Sequence, residues 1–415
     1  MVDQFFGEPR ALQRARASAS GPHLDGFSEW LREVGYAPSS ILDFVRTAVH
    51  VGLWAERSLT AIRELDQASI ERFRAHLRTC TCPGPRPRRR RDGRTAALAG
   101  RFLQYLREQG VVREAPAPCA PHIHPLVVEF GAWMRQHRGA TSTTLRIYGR
   151  IVTEALDALG DDPSAFAARG LRDFVLGRSR AHGRSKAKLV VTAMRAFLRY
   201  LVASGACGYG LEGAIPTLAF WRLASLPRYL SSAEVARVIA TCDPTTTSGA
   251  RNRAILLLLA RLGLRAGDVA ALCLDDVDWR QATVAVSGKS RRVSRLPLAQ
   301  EVGDAILAYL PRRPVMASTD RVFLRVAPPW GPIAAGTVTS VAARAIRVAG
   351  VETPARGAHV LRHSAASELL RQRASLDQVR IVLRHRDPET TRLYAKVDLA
   401  LLRRVAQPWP EVTPC

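Results

Sequence analysis

Apolar positions recur every three or four residues through 27–34, 41–54 and 69–77, so each stretch predicts an amphipathic helix with one buried face. The same pattern returns about a hundred residues later. Phe27-Ser28-Glu29-Trp30-Leu31-Arg32 is paralleled by Phe130-Gly131-Ala132-Trp133-Met134-Arg135, and Arg101-Phe102-Leu103-Gln104-Tyr105-Leu106 by Ala196-Phe197-Leu198-Arg199-Tyr200-Leu201. These matches predict two small helical domains built on one plan, although little else in the two segments agrees. A third segment opens near Pro227. Ser231 or Ser232 stands where a helix N-cap belongs, with Glu234 in the first turn. The stretch Arg253 to Leu262 predicts a buried helix that Gly263 ends. Alternation over Ala282–Val286 predicts a strand, Ser287-Gly288 a turn, and Val293 to Leu298 a returning strand. Helices dominate the remainder, so the expected fold class is mainly α with a small antiparallel β-sheet.

Breaks in this pattern set the expected domains. A linker from Glu114 to Pro121 holds Pro116, Pro118 and Pro121, which gives an N-terminal helical domain over 1–115, a second over 122–226 and a third over 227–415. The Pro-, Gly- and Arg-rich tract between Cys80 and Arg94, with Arg88, Arg89, Arg90 and Arg91, has nothing apolar to bury. It is either a solvated loop or an arm that touches phosphates; both remain open.

Composition narrows the partners. With 47% hydrophobic and 23% charged residues in 415, the chain reads as soluble and multidomain. The longest strongly apolar run, Ala254 to Ala260, is far too short for a membrane span. Met1 to Arg10 has no apolar core of a secretory signal, so a cytoplasmic protein without a membrane partner is expected. A formal net charge of +25 points to a polyanion, most often nucleic acid. Basic residues gather at 178–188 (Arg178, Arg180, Arg184, Lys186, Lys188, with His182), where Ser185 is expected to cap a helix whose first amides face a phosphate. Arg184, Lys186 and Lys188 are therefore expected DNA contacts. Seven cysteines without framework spacing fit a reducing compartment. Cys80, Cys82, Cys119, His122 and His124 could be gathered into a zinc set, but Cys-x-Cys before a long basic tract matches no common ligand spacing. No metal and no other cofactor is expected.

Four islands in the third segment carry chemistry: Gly263-Leu264-Arg265-Ala266-Gly267-Asp268, Gly288-Lys289-Ser290, His359-Val360-Leu361-Arg362-His363, and Leu383-Arg384-His385 followed by Tyr394. In this order and spacing they resemble the tyrosine recombinase (phage integrase) family over Pro227 to Lys396, and more loosely in the helical segment before it. The resemblance implies helical SAM-like core-binding domains ahead of a tyrosine recombinase catalytic domain. It assigns Arg265 and Lys289, the pair His359 and Arg362, then His385, and Tyr394 as nucleophile. Two planar, always-charged guanidiniums suit the non-bridging phosphate oxygens. The leaving 5′ oxygen needs a proton that arginine cannot give, and Lys289 is one of only four lysines in the chain. Arg291 and Arg292 beside it are expected on DNA. His359 and Arg362 share a helix face, from which His359 is expected to position Tyr394 or shuttle its proton.

The family usually has glutamate where Asp268 stands, and glycine where Arg384 stands. Asp268 is expected to brace Arg265 or cap its helix; Arg384 is expected to be mildly strained if its φ is positive. The resemblance further implies double-stranded DNA clamped by a homotetramer on paired sites, a 3′-phosphotyrosyl intermediate and a Holliday junction, without ATP or metal. Accessory recombinases or DNA-bending proteins are compatible with it. Leu399, Leu401 and Leu402 lie in a segment that either docks on a neighbouring protomer or packs on its own domain. Three rival readings stand beside it: a metal enzyme using His359, His363 and His385, a non-catalytic DNA-binding protein of the same fold, and a type IB topoisomerase. Val360 stands where a zinc protease carries glutamate, and Arg362 repels a cation, which counts against the first.

Overall fold

Helical periodicity decides most of the architecture. The computed structural model describes residues 2–80, 82, 92–112, 123–181, 183–217, 228–287, 293–314, 319–353, 355–385, 387–396 and 402–403. By contacts the chain divides into two units, residues 1–112 with 223–415, and residues 113–222.

Residues 1–112 carry α1 (Pro9–Ala17), α2 (Leu24–Glu33), α3 (Pro38–Arg57), α4 (Gln67–His76) and α5 (Asp92–Glu108). Their apolar stripes close a core of their own, with Phe27, Phe73 and Phe102 fully buried. Asp66 starts α4 by accepting from the Ser69 amide at 2.7 Å. The unit 113–222 carries α6 (Pro125–Arg138), α7 (Ser142–Leu159), α8 (Ala168–Arg180) and α9 (Arg184–Ala203) around a separate core.

The two cores share one aromatic arrangement. In the first, Phe27 meets Phe102 at 5.0 Å and Tyr105 at 5.3 Å between ring centroids, and Trp30 meets Tyr105 at 6.0 Å. In the second, Phe130 meets Phe197 at 5.4 Å and Tyr200 at 5.8 Å, and Trp133 meets Tyr200 at 6.0 Å. Each Phe-x-x-Trp helix therefore packs the same face against a Phe-x-x-Tyr helix. Such ring pairs contribute about 0.5–1.5 kcal/mol each beyond area burial.

The third part of the chain carries α10 (Ser232–Ala240), α11 (Thr247–Arg261), α12 (Ala266–Ala271), β1 (Val277–Asp278), β2 (Thr283–Ser287), β3 (Val293–Pro297), α13 (Gln300–Tyr309), α14 (Ala335–Val348), α15 (Ala358–Arg371), α16 (Leu376–Leu383) and α17 (Glu389–Ala395). Ser231 caps α10 in a reciprocal box with Glu234. Helix α11 is buried on all sides from Ala254 to Leu259, which makes it the axis of this core. The antiparallel sheet has order β1-β2-β3, with Val284 opposite Leu296 and Ser287 opposite Val293. Val284 and Val286 face the core, as their alternation requires. β1, a two-residue strand, is too short to leave a period in the sequence.

Candidate active site

The ends of α11 and α16 and one face of α15 meet around a buried guanidinium. Arg362, on α15, is 3% exposed. It donates to the carbonyl of Gly263 at the end of α11 and to that of Leu383, the last residue of α16. Gly263 fits because its φ is +58° and a Cβ there would lie 2.6 Å from Leu383 Cδ2. Two neutral carbonyls hold Arg362 without cancelling its charge. Burial, with Arg265 next, lowers its pKa to about 10, so it stays charged at neutral pH.

Arg265 leads into α12, half-buried. Its backbone N–H donates to Asp268 Oδ2 at 3.0 Å, and its Nη2 to the carbonyl of Arg384 at 3.3 Å. Asp268 thus caps the helix, and it also pairs with Arg384 at 2.6 Å, both side chains under 10% exposed. Arg384 is in the left-handed region at φ +53°, the conformation that makes glycine the easier residue at a helix C-terminus. The two positions that depart from the family pattern, 116 residues apart, are therefore partners.

Tyr394 lies on α17 and is 2% exposed. Its hydroxyl is 2.7 Å from His363 Nδ1. His363 packs edge-on against His359 at 4.6 Å, and His385 stacks on Tyr394 at 6.3 Å while its Nδ1 sits 2.9 Å from Thr391 Oγ1. Burial pushes Tyr394 up to about 12, opposed by Arg362. Burial pushes His363 down to about 4, helped by His359 and Arg362, and His385 to about 4, helped by Arg362 and Arg265. At pH 7 phenol and imidazoles are neutral. Among the described residues, the fixed charges around them are three guanidiniums (Arg265, Arg362, Arg384) and one carboxylate (Asp268), a net positive site suited to a phosphodiester.

A family model described as the phage integrase family matches residues 228–400. The integrase/recombinase y4rA of Sinorhizobium fredii (strain NBRC 101917 / NGR234) is 33% identical over 98% of this chain and 98% of its own length. A second protein of that strain, y4rF, is 30% identical over 99% of this chain and 96% of its own. The chain belongs to the phage integrase family. Its fold is that of the tyrosine recombinases: XerH site-specific recombinase, solved bound to a palindromic difH substrate, superposes with a TM-score of 0.55 at 18% identity, covering 82% of this chain and 95% of that one.

Within this integrase-family site the structure brings together Arg265, Asp268, His359, Arg362, His385 and Tyr394. Lys289, Arg291 and Arg292 lie outside the described residues, between β2 and β3. His363, which the sequence suggested only as a metal ligand, is the histidine that touches the Tyr394 hydroxyl; His359 touches His363 instead. The spacing did hold the signal, since His359 and His363 are four apart on one helix face.

Among the described residues the groups with metal-ligand geometry do not include His359, His363 and His385. Lys186 and Lys188 are exposed on the first turns of α9, and the side chain of Arg184 lies outside the described residues. The expected cap moves: Gly183, not Ser185, precedes α9, because the helix already begins at Arg184. Arg178 is tied to Glu154. The zinc set weighed from sequence is also corrected in part. His124 accepts from the Leu126 amide at 3.2 Å as the cap of α6, and Cys119 and His122 lie outside the described residues, as do the Pro-rich linker, the tract 83–91, Leu399 and Leu401. Leu402 is described and 40% exposed.

Proposed function

We propose that this chain is a site-specific DNA recombinase or integrase that cuts and rejoins duplex DNA through Tyr394. The observation that carries the proposal is the buried Tyr394 hydroxyl held 2.7 Å from a neutral imidazole inside a cluster of guanidiniums. The arrangement in which Tyr394 donates to His363 Nδ1 prepares the phenol for attack. As the bond from Tyr394 Oη to phosphorus forms, the phenolic proton passes to His363. The bond to the 5′ oxygen breaks, and that oxygen takes a proton from Lys289, the role the family resemblance assigns. Arg265 and Arg362 hold the non-bridging oxygens, and His359 and His385 complete the catalytic set.

The product is a 3′-phosphotyrosyl link, which keeps the phosphodiester's energy. Attack by a partner strand's 5′ hydroxyl releases the tyrosine, so strand exchange through a Holliday junction needs neither ATP nor a metal. We propose three domains on the boundaries 1–115, 122–226 and 227–415, the first a duplicate of the second, acting as a homotetramer on paired sites. Lys186, Lys188 and Arg184, with Arg291 and Arg292, would contact the DNA backbone. The net charge of +25 and the recombinases solved on DNA support this.

The test is covalent trapping. The protein and a Tyr394→Phe variant are mixed with labelled DNA from the flanks of its own gene, as nicked suicide substrates, in buffer free of divalent cations. A denaturant-resistant, protease-sensitive adduct formed only with the tyrosine is the expected result. Tight, salt-sensitive binding to the same fragments with no adduct would refute catalysis by Tyr394.

A further inference from the structure

The N-terminal helices hold a second cluster of reactive side chains. His50 on α3, His76 at the end of α4, and Cys80 and Cys82 just beyond it bring one ligand atom each to within 4.8 Å of all the others. His50 Nε2 is 3.1 Å from Cys80 Sγ, and His76 Nε2 is 3.3 Å from Cys82 Sγ. In a tetrahedral zinc site with bonds of about 2.0–2.3 Å, neighbouring ligand atoms lie roughly 3.3–3.8 Å apart. Shifts of a few tenths of an ångström would bring these two His–Cys contacts into that range.

We propose that His50, His76, Cys80 and Cys82 form a closed structural zinc site. Two thiolates balance the charge of Zn²⁺, and two imidazoles complete an S₂N₂ set, the donor combination that selects zinc among common divalent ions. Four protein ligands leave no open position, so the site is structural and not catalytic. Its surroundings suit bound thiolates. The Cys82 amide donates to Cys80 Sγ at 3.3 Å, and Arg57 Nη1 to Cys82 Sγ at 3.5 Å. The rings of Phe73 and His50 meet edge-on at 5.1 Å, fixing the imidazole from behind.

Comparison of the two aromatic-cored domains says what the metal would do. The corresponding helices α7 and α8 contain no cysteine or histidine, and α8 is followed almost at once by α9. The corresponding helices of the second domain therefore offer no such ligands. In the first copy a longer connection, residues 77–91, separates α4 from α5, and it holds Arg86 and Arg88–Arg91 immediately after Cys82. Zinc would pin the start of that basic tract to α3, giving it a fixed base. The sequence concealed the site because His50 comes from a separate helix, 30 residues before Cys80.

The experiment uses the full-length protein, expressed with zinc and purified without chelators. Elemental analysis should find one zinc per chain, and exchange with cobalt should give the intense visible bands of a tetrahedral thiolate complex. The double variant Cys80→Ser/Cys82→Ser should lose both signals, whereas Cys207→Ser, on a cysteine outside the cluster, should keep them. Hydrogen exchange of wild type before and after chelation guards against a variant that misfolds: protection should fall at the end of α4 and hold in α6–α9. Protein free of zinc whose cobalt form lacks those bands would overturn the proposal. So would stoichiometric iron or copper in place of zinc, or a Cys80–Cys82 disulfide in the isolated protein.

Discussion

Replacing Asp268 by Asn should destabilise the catalytic region far more than the loss of a surface ion pair. Asp268 and Arg384 are 8% and 9% exposed and 2.6 Å apart. Nε and Nη1 of Arg384 already lack a hydrogen-bond partner, so Asp268 is what compensates this buried cation. Asparagine keeps the shape and the acceptor for the Arg265 amide but removes the charge. Stranding a buried charge this way costs about 3–5 kcal/mol, against about 0–1 kcal/mol for an exposed pair. Arg384→Gly acts differently. It removes the cation and relieves a left-handed backbone worth about 1–2 kcal/mol, while Asp268 keeps the Arg265 amide. The single glycine variant strands the Asp268 carboxylate, offset in part by the relieved backbone, and adding it to Asp268→Asn should recover much of the loss, a coupling of about 2–3 kcal/mol. Hydrogen exchange of peptides covering α12 and α16, with calorimetric Tm beside it, measures all four corners of the cycle. A cost below about 1 kcal/mol for Asp268→Asn, or additive single effects, would refute the account of the pair.

Three further outcomes follow from the geometry. His363→Ala should slow single-turnover cleavage of a suicide substrate by about 10²–10⁴-fold with DNA affinity unchanged; an unaltered rate would remove His363 from proton transfer. His363 and His385 are held near 4 when folded, against an ordinary 6.5. The unfolded chain therefore binds more protons between those values, and stability should be complete above pH 6.5 and fall as pH drops toward 4. Urea midpoints across that window should show a shallower slope for His363→Gln, and an unchanged slope would contradict the assignment. Lys186→Ala and Lys188→Ala should each reduce the slope of log affinity against log salt by about 0.9 if each meets a phosphate. Titrations at several salt concentrations measure it, and an unchanged slope would place those residues off the DNA.

Much of this was legible in the chain because it was periodic or local. The Phe-x-x-Trp and Phe-x-x-Tyr matches foretold two helical cores, and their ring distances agree almost pair for pair. The alternation at 282–286 gave the hairpin, and Ser231 with Glu234 gave a cap. What escaped depended on meetings between distant segments. Asp268 and Arg384 each looked like an isolated departure from the family, and only the fold makes them partners. His363 stands beside Arg362, and nothing in a linear spacing says which of two histidines on one helix face reaches a tyrosine on another helix. The cysteines Cys80 and Cys82 suggest a set with the later His122 and His124, whereas α3 and α4 supply His50 and His76.

The seating of Arg362 also bears on when the site is assembled. Its two anchoring carbonyls belong to the last turns of different helices, so the guanidinium reaches its place only when α11, α15 and α16 have all docked. With one of these helices loose, the guanidinium would lose one of its two anchoring carbonyls. Assembly of the charged site and completion of this core thus become the same event.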